Sequence, residues 1–131
     1  MASKYGTIVL VVATLFCLLT TATAGIRPQR FVEQLGMKIV NAGGTNEVYA
    51  QYAGFFLAVA IVSLGALLGQ IPRAAAYVLL IAVFGGLLAG RAFSLAANGG
   101  IAGFTPMIVW LYVIDTLGLA AAAAAYIFDR A

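Results

Sequence analysis

The chain has no histidine, and its 131 residues include one cysteine, three prolines, seven lysines or arginines and four aspartates or glutamates. Each shortage removes a class of chemistry. Without histidine the commonest general base is missing, as is the usual ligand for zinc, haem iron or copper. One cysteine excludes an intrachain disulfide, and Cys17 sits inside an apolar run, where a thiol stays protonated and packs as a small hydrophobe. With 8% charged and 64% hydrophobic residues, the chain is too apolar for a soluble domain. The net charge of +3 comes from scattered groups with no basic, aromatic-interleaved patch, so nucleic acid is not an expected partner. No cofactor, metal set or nucleophile constellation is expected either. The composition is that of an integral membrane protein of a single domain, with room for four spans and short connections.

In chain order, an apolar run from Tyr5 to Ala24 follows Lys4. Ala22-Thr23-Ala24 before Gly25 imitates a signal-peptide cleavage site, but the run is long enough to cross a bilayer and is expected to be the first transmembrane helix. In the long connection after it, Gln29 to Asn41 has helical spacing, with Phe31, Val32, Leu35 and Ile39 on one face. This predicts a short amphipathic helix, lying at the membrane interface, capping the bundle, or both. Asn41-Ala-Gly-Gly-Thr-Asn46 reads as a turn, since Asn and Gly accept positive φ. Further spans are expected from Val48 to Leu68, Arg73 to Ala96 and Pro106 to Phe128, the last with Thr105-Pro106 as N-cap and N1. Two small-residue stripes stand out. Glu47, Gln51, Gly54 and Ala58 extend to Gly65 and Gly69 on the second span, and Ala82, Gly86 and Gly90 recur on the third; both predict close approach of a neighbouring helix. Trp110, Tyr112, Tyr126, Tyr5, Tyr49 and Tyr52 fit interfacial aromatic belts by default.

Arg91 is the best-marked position, because a guanidinium cannot shed its charge and within hydrocarbon must find a partner. Antiparallel spans bring the start of the second, the end of the third and the start of the fourth to one side of the membrane. Asp115 lies about 14 Å along the fourth helix at 1.5 Å per residue, and Arg91 about 8 Å from the end of the third. A buried cluster of Glu47, Arg91 and Asp115 is therefore expected, with Gln51, Tyr52, Ser94, Asn98, Tyr112 and Thr116 as candidate hydrogen-bond partners. It would lock the bundle's register, hold a ligand or headgroup, or transfer protons.

The same residues carry a resemblance. Arg27-Pro-Gln-Arg-Phe-Val-Glu-Gln-Leu-Gly36, Asn46-Glu47-Val-Tyr-Ala-Gln-Tyr52-Ala-Gly54, Phe84-Gly-Gly-Leu-Leu-Ala-Gly-Arg91-Ala-Phe-Ser-Leu95, then Asn98-Gly99 and an acid in the fourth span resemble an uncharacterised bacterial family of small four-helix membrane proteins, a domain of unknown function. Glu47, Tyr52, Gly54, Gly90 and Arg91 match its pattern, while Ala53 stands where the family tends to have glycine. The resemblance implies four helices and a bacterial inner membrane, and brings no activity with it.

With an even number of spans, both termini share one side. That side carries Lys4, Arg73 and Arg130, against Arg27, Arg30 and Lys38 on the other, so the positive-inside rule leans towards a cytoplasmic long connection. The leading functional expectation is a non-catalytic accessory or assembly subunit that packs against other membrane protein subunits and lipids. The alternative is a binder or carrier of a hydrophobic small molecule or lipid whose polar end meets the Glu47, Arg91, Asp115 cluster. A proton-coupled role for Glu47 or Asp115 is a third class, and no inverted repeat or broken helix supports alternating access.

Overall fold

A computed structural model describes residues 3–130. Its regular structure is helical: α1 Lys4–Ile26, α2 Pro28–Gln34, α3 Ala42–Leu67, α4 Arg73–Asn98 and α5 Pro106–Arg130. The four long helices contain 23, 26, 26 and 25 residues and are long and apolar enough to cross a membrane. They form an antiparallel four-helix bundle in which α1 packs mainly on α3 and α4 on α5, with α1 to α5 and α3 to α4 closing the circuit.

Two boundaries depart from the sequence expectation. The helix predicted over 29–41 is only α2, because Gly36 takes a φ of +75° and ends it in a Schellman motif. The Met37 N–H donates to the Val32 carbonyl at 2.9 Å and the Gly36 N–H to the Glu33 carbonyl at 3.0 Å. The second span begins six residues earlier than expected, at Ala42, since the segment read as a turn is its first helical turn. Asn41 caps it, its Oδ1 accepting from the Gly44 N–H at 2.9 Å, so Gly43 and Gly44 are helical. Thr105 caps α5 as predicted. Its hydroxyl accepts from the Ile108 N–H at 3.3 Å and donates to the Gln34 carbonyl at 2.6 Å, tying α5 to the end of α2.

Within α3, Tyr49–Gly54 is a π-helical segment, where the Phe55 N–H reaches back to the Ala50 carbonyl. The Thr21 hydroxyl of α1 donates to the Ala53 carbonyl of this segment at 3.0 Å. The segment also breaks the 3.6-residue register. The predicted stripe does not meet a neighbouring helix: Glu47, Gln51, Gly54 and Ala58 are all exposed, and α3 turns Phe56, Val59, Ala60, Ser63 and Ala66 inward.

Packing is concentrated in the half of the bundle nearest the termini. Leu10, Cys17, Ala76, Tyr77, Leu80, Ala122 and Ala125 are buried there, Cys17 as a packing residue. A polar clasp closes this end. Asp129 accepts from the Ser3 N–H at 3.0 Å and from the Tyr77 hydroxyl at 2.6 Å, while Arg73 donates to the Thr7 hydroxyl at 2.9 Å and lies 3.9 Å from the Asp129 carboxylate. Gly6 makes room for it, since a Cβ there would meet the Tyr77 hydroxyl and lie 2.6 Å from Asp129 Oδ2. Halfway along, Phe84 of α4 lies flat over Gly118 of α5, where a Cβ would come within 2.9 Å of three ring atoms. Beyond this contact a second, smaller buried cluster of Ala24, Val32 and Val48 joins α1, α2 and α3.

Candidate functional site

Arg91 and Asp115 meet just above the Phe84 and Gly118 contact. Arg91 shares a face of α4 with Leu87 and Ser94, and Asp115 lies one turn from Tyr112 on α5, so the densely packed pair α4 and α5 brings the two charges together. Arg91 Nε donates to Asp115 Oδ2 at 2.5 Å. The Tyr112 hydroxyl donates to the Arg91 carbonyl at 2.8 Å, and the guanidinium carbon lies 5.8 Å from the Tyr112 ring centroid. Phe104 stacks on the same ring at 6.0 Å, fixing it between the α4 to α5 connection and the arginine. The Asp115 side chain is 2% exposed and that of Arg91 22%. An ion pair this enclosed must be well matched to offset its desolvation, and a charge-assisted bond at this separation meets that condition.

The pair forms part of the wall of a cavity of about 860 Å³ between the four helices. Phe16 and Leu19 of α1, Phe56 of α3, Leu87 of α4 and Leu111 of α5 give it apolar sides, and Phe31 and Leu35 at α2 roof it. Its volume is in the range of small-molecule sites, as is the combination of apolar walls with a few convergent polar groups. Gly86 and Gly90 explain why the space exists. A Cβ on either would meet nothing within 4 Å, so the stripe expected to draw a neighbouring backbone close instead opens α4 onto the cavity. Periodicity revealed that side chains were missing along this face; it did not reveal whether a helix or empty space filled the gap.

The other expected site residues divide between two places. Tyr52 lines the cavity, with its ring 5.0 Å from that of Phe31, so Tyr52 and Tyr112 turn inward rather than serving in an outer aromatic belt. Glu47 and Gln51 do not join Arg91. They line an adjoining hollow of about 560 Å³ with Lys38, which shares Met37, Tyr52, Phe56 and Leu87 with the larger cavity. Glu47 is exposed and accepts only a long 3.4 Å bond from Asn46 Nδ2, so the buried three-residue cluster reduces to a pair. The reason is direction and not depth: in this turn of α3 Val48 faces inward and Glu47, one residue away, is exposed. Ser94 lines the cavity and accepts from Asn98 Nδ2 at 3.1 Å; Thr116 is exposed and donates to the Tyr112 carbonyl at 2.7 Å.

Sequence reasoning missed the terminal clasp and the π-helical segment. The clasp had a usable signal, an aspartate at the end of the fourth span on the same side as Arg73. The segment Tyr49-Ala-Gln-Tyr-Ala-Gly54 had none, since nothing in these residues distinguishes a π turn from an α turn. Among the described residues no group of three His, Cys, Asp or Glu is placed to hold a metal ion. Compared with protein-family models, with curated proteins and with solved structures, the chain matches none.

Proposed function

We propose that this protein binds an amphipathic small molecule or lipid within the membrane, the apolar part lying between the four helices and the polar end at Arg91 and Asp115. The observation that carries this reading is the cavity of about 860 Å³ with that ion pair in its wall. An apolar cleft of this size leaves its walls to be covered by something other than this chain, and the charged pair in its wall carries a desolvation cost. Both are accounted for by an occupant. The location proposed is a bacterial inner membrane, as the resemblance implies, and no catalytic step belongs to this reading.

The binder reading moves ahead of the accessory-subunit reading because only it has a localised feature behind it. Large exposed apolar residues occur on all four long helices, among them Ile8, Ile61, Phe93 and Trp110, as contact with lipid alone requires. Native mass spectrometry of the protein gently extracted from its own membrane separates the two. A reproducible bound small-molecule mass, lost in Gly86→Leu where a side chain is built into the cavity, supports binding. Release with a fixed set of larger subunits and no bound mass overturns it in favour of the accessory role.

A further inference from the structure

We infer that the occupant's polar end is uncharged and both donates and accepts hydrogen bonds, as in a long-chain alcohol or a monoacylglycerol. The inference rests on the reading of the cavity as a binding site and adds the chemical class of what enters it.

The first argument is charge. Among the described residues Arg91 and Asp115 are the only charged ones that line the cavity, and they are bound to each other. The site is therefore neutral as a whole. A carboxylate or phosphate brought to Arg91 would place two anions on one guanidinium, and an ammonium brought to Asp115 would place two cations on one carboxylate. Either leaves one full charge uncompensated in surroundings of low polarity, which is far costlier than burying a hydroxyl.

Depth gives the second argument. At 1.5 Å per residue Asp115 is about 14 Å, and Arg91 about 10 Å, from the ends of their helices on the α2 side. A polar group that reaches them has left the headgroup region. Ions make that journey poorly and hydroxyls tolerably.

The third argument is the hydrogen-bonding capacity left over. Arg91 spends Nε on Asp115, and neither of its Nη nitrogens donates to any acceptor among the described residues. Asp115 Oδ2 is engaged, whereas Oδ1 accepts nothing and is not sealed off, since Ser63 Oγ is the one enclosed side-chain polar atom without a partner among the described residues. Free donors thus stand beside a free acceptor on a side chain that is otherwise almost wholly buried. A hydroxyl satisfies both at once, its oxygen accepting from Nη–H and its proton donated to Oδ1. A ketone or ester oxygen answers only the arginine.

The test is competition for the full-length protein in lipid nanodiscs, with three probes of equal chain length: radiolabelled monopalmitoylglycerol, palmitate above its pKa, and hexadecyltrimethylammonium. Wild type is expected to bind the glyceride at least about tenfold more tightly than either ion. Asp115→Asn, nearly isosteric and leaving Arg91 uncompensated, is expected to reverse the order in favour of palmitate. Palmitate or the ammonium binding wild type as tightly as the glyceride overturns this inference while leaving the cavity a binding site. Absence of saturable binding by all three overturns the binding reading as well. If Asp115→Asn fails to fold, the wild-type ranking alone decides.

Discussion

Alanine placed at Gly86, Gly90 and Gly118 separates the hollow part of the bundle from the packed part with one substitution chemistry. All three glycines lie inside long helices, so each exchange gains about 0.5–1 kcal/mol of intrinsic helix preference. They differ in what the new methyl group meets. At Gly86 and Gly90 it meets nothing within 4 Å, so the preference stands alone and each variant is expected to be stabilised by about that amount. At Gly118 the methyl comes within 2.9 Å of three ring atoms of Phe84, a side chain that is 6% exposed and has nowhere to retreat. Overpacking of this kind costs about 1–3 kcal/mol, enough to cancel the gain and leave Gly118→Ala neutral to clearly destabilised. Reversible unfolding in mixed micelles, followed by circular dichroism, provides the measurement. Destabilisation by Gly86→Ala or Gly90→Ala comparable to that of Gly118→Ala would refute the reasoning, because it would mean that a neighbouring helix, not a cavity, faces that side of α4.

Arg91→Leu strands a carboxylate that is 2% exposed and is expected to lose about 3–5 kcal/mol, while Arg91→Leu with Asp115→Leu should recover most of that in the same unfolding assay; a double variant no better than the single would contradict the paired arrangement. Tyr77→Phe removes a 2.6 Å bond to a carboxylate and should cost about 1.5–3 kcal/mol, with no change in ligand binding at the far end of the bundle. Thr21→Val keeps the shape and removes the donor to the Ala53 carbonyl; a loss of about 1 kcal/mol and faster amide exchange confined to Tyr49–Gly54 are expected. Uniform exchange along α3 would argue that the π-helical segment does not depend on this bond.

The fold was legible because four apolar runs of bilayer length, separated by glycine- and proline-marked connections, leave little choice of architecture. Boundaries were legible wherever a capping pair was explicit, as at Thr105-Pro106, and illegible where one residue supports two outcomes. Asn41 followed by Ala42 and two glycines suits a turn or an N-cap, and the deciding interaction, the Gly44 N–H donating to Asn41 Oδ1, is visible only in three dimensions. The Arg91 and Asp115 pairing followed from depth alone, since two charges at similar height in one bundle have strong reason to meet. Placing Glu47 with them failed because depth and side of the membrane do not fix which way a side chain faces, and at this end of α3 Val48 is buried while Glu47 is exposed.

The distribution of packing bears on how a cavity of this size is tolerated at all. Side chains that line a half-open cleft make fewer contacts with one another than side chains in a packed core, so a bundle cleft along its whole length would be poorly held. Here the opposite half carries the compensation. Buried alanines at Ala76, Ala122 and Ala125 let helices approach closely, Tyr77 and Leu80 fill the interior, and the Asp129 clasp ties α1, α4 and α5 together at the terminal end. At the other end a smaller buried cluster of Ala24, Val32 and Val48 joins α1 to α2 and α3, the Arg91–Asp115 pair and the Tyr112 hydroxyl join α4 to α5, and the Thr105 and Thr21 bonds bridge backbone segments. Substitutions at the closed end should therefore lower stability with little effect on an occupant, and larger side chains at Gly86 or Gly90 should alter occupancy without lowering stability. Such a separation is what a binding protein requires and what a merely structural ion pair would not produce.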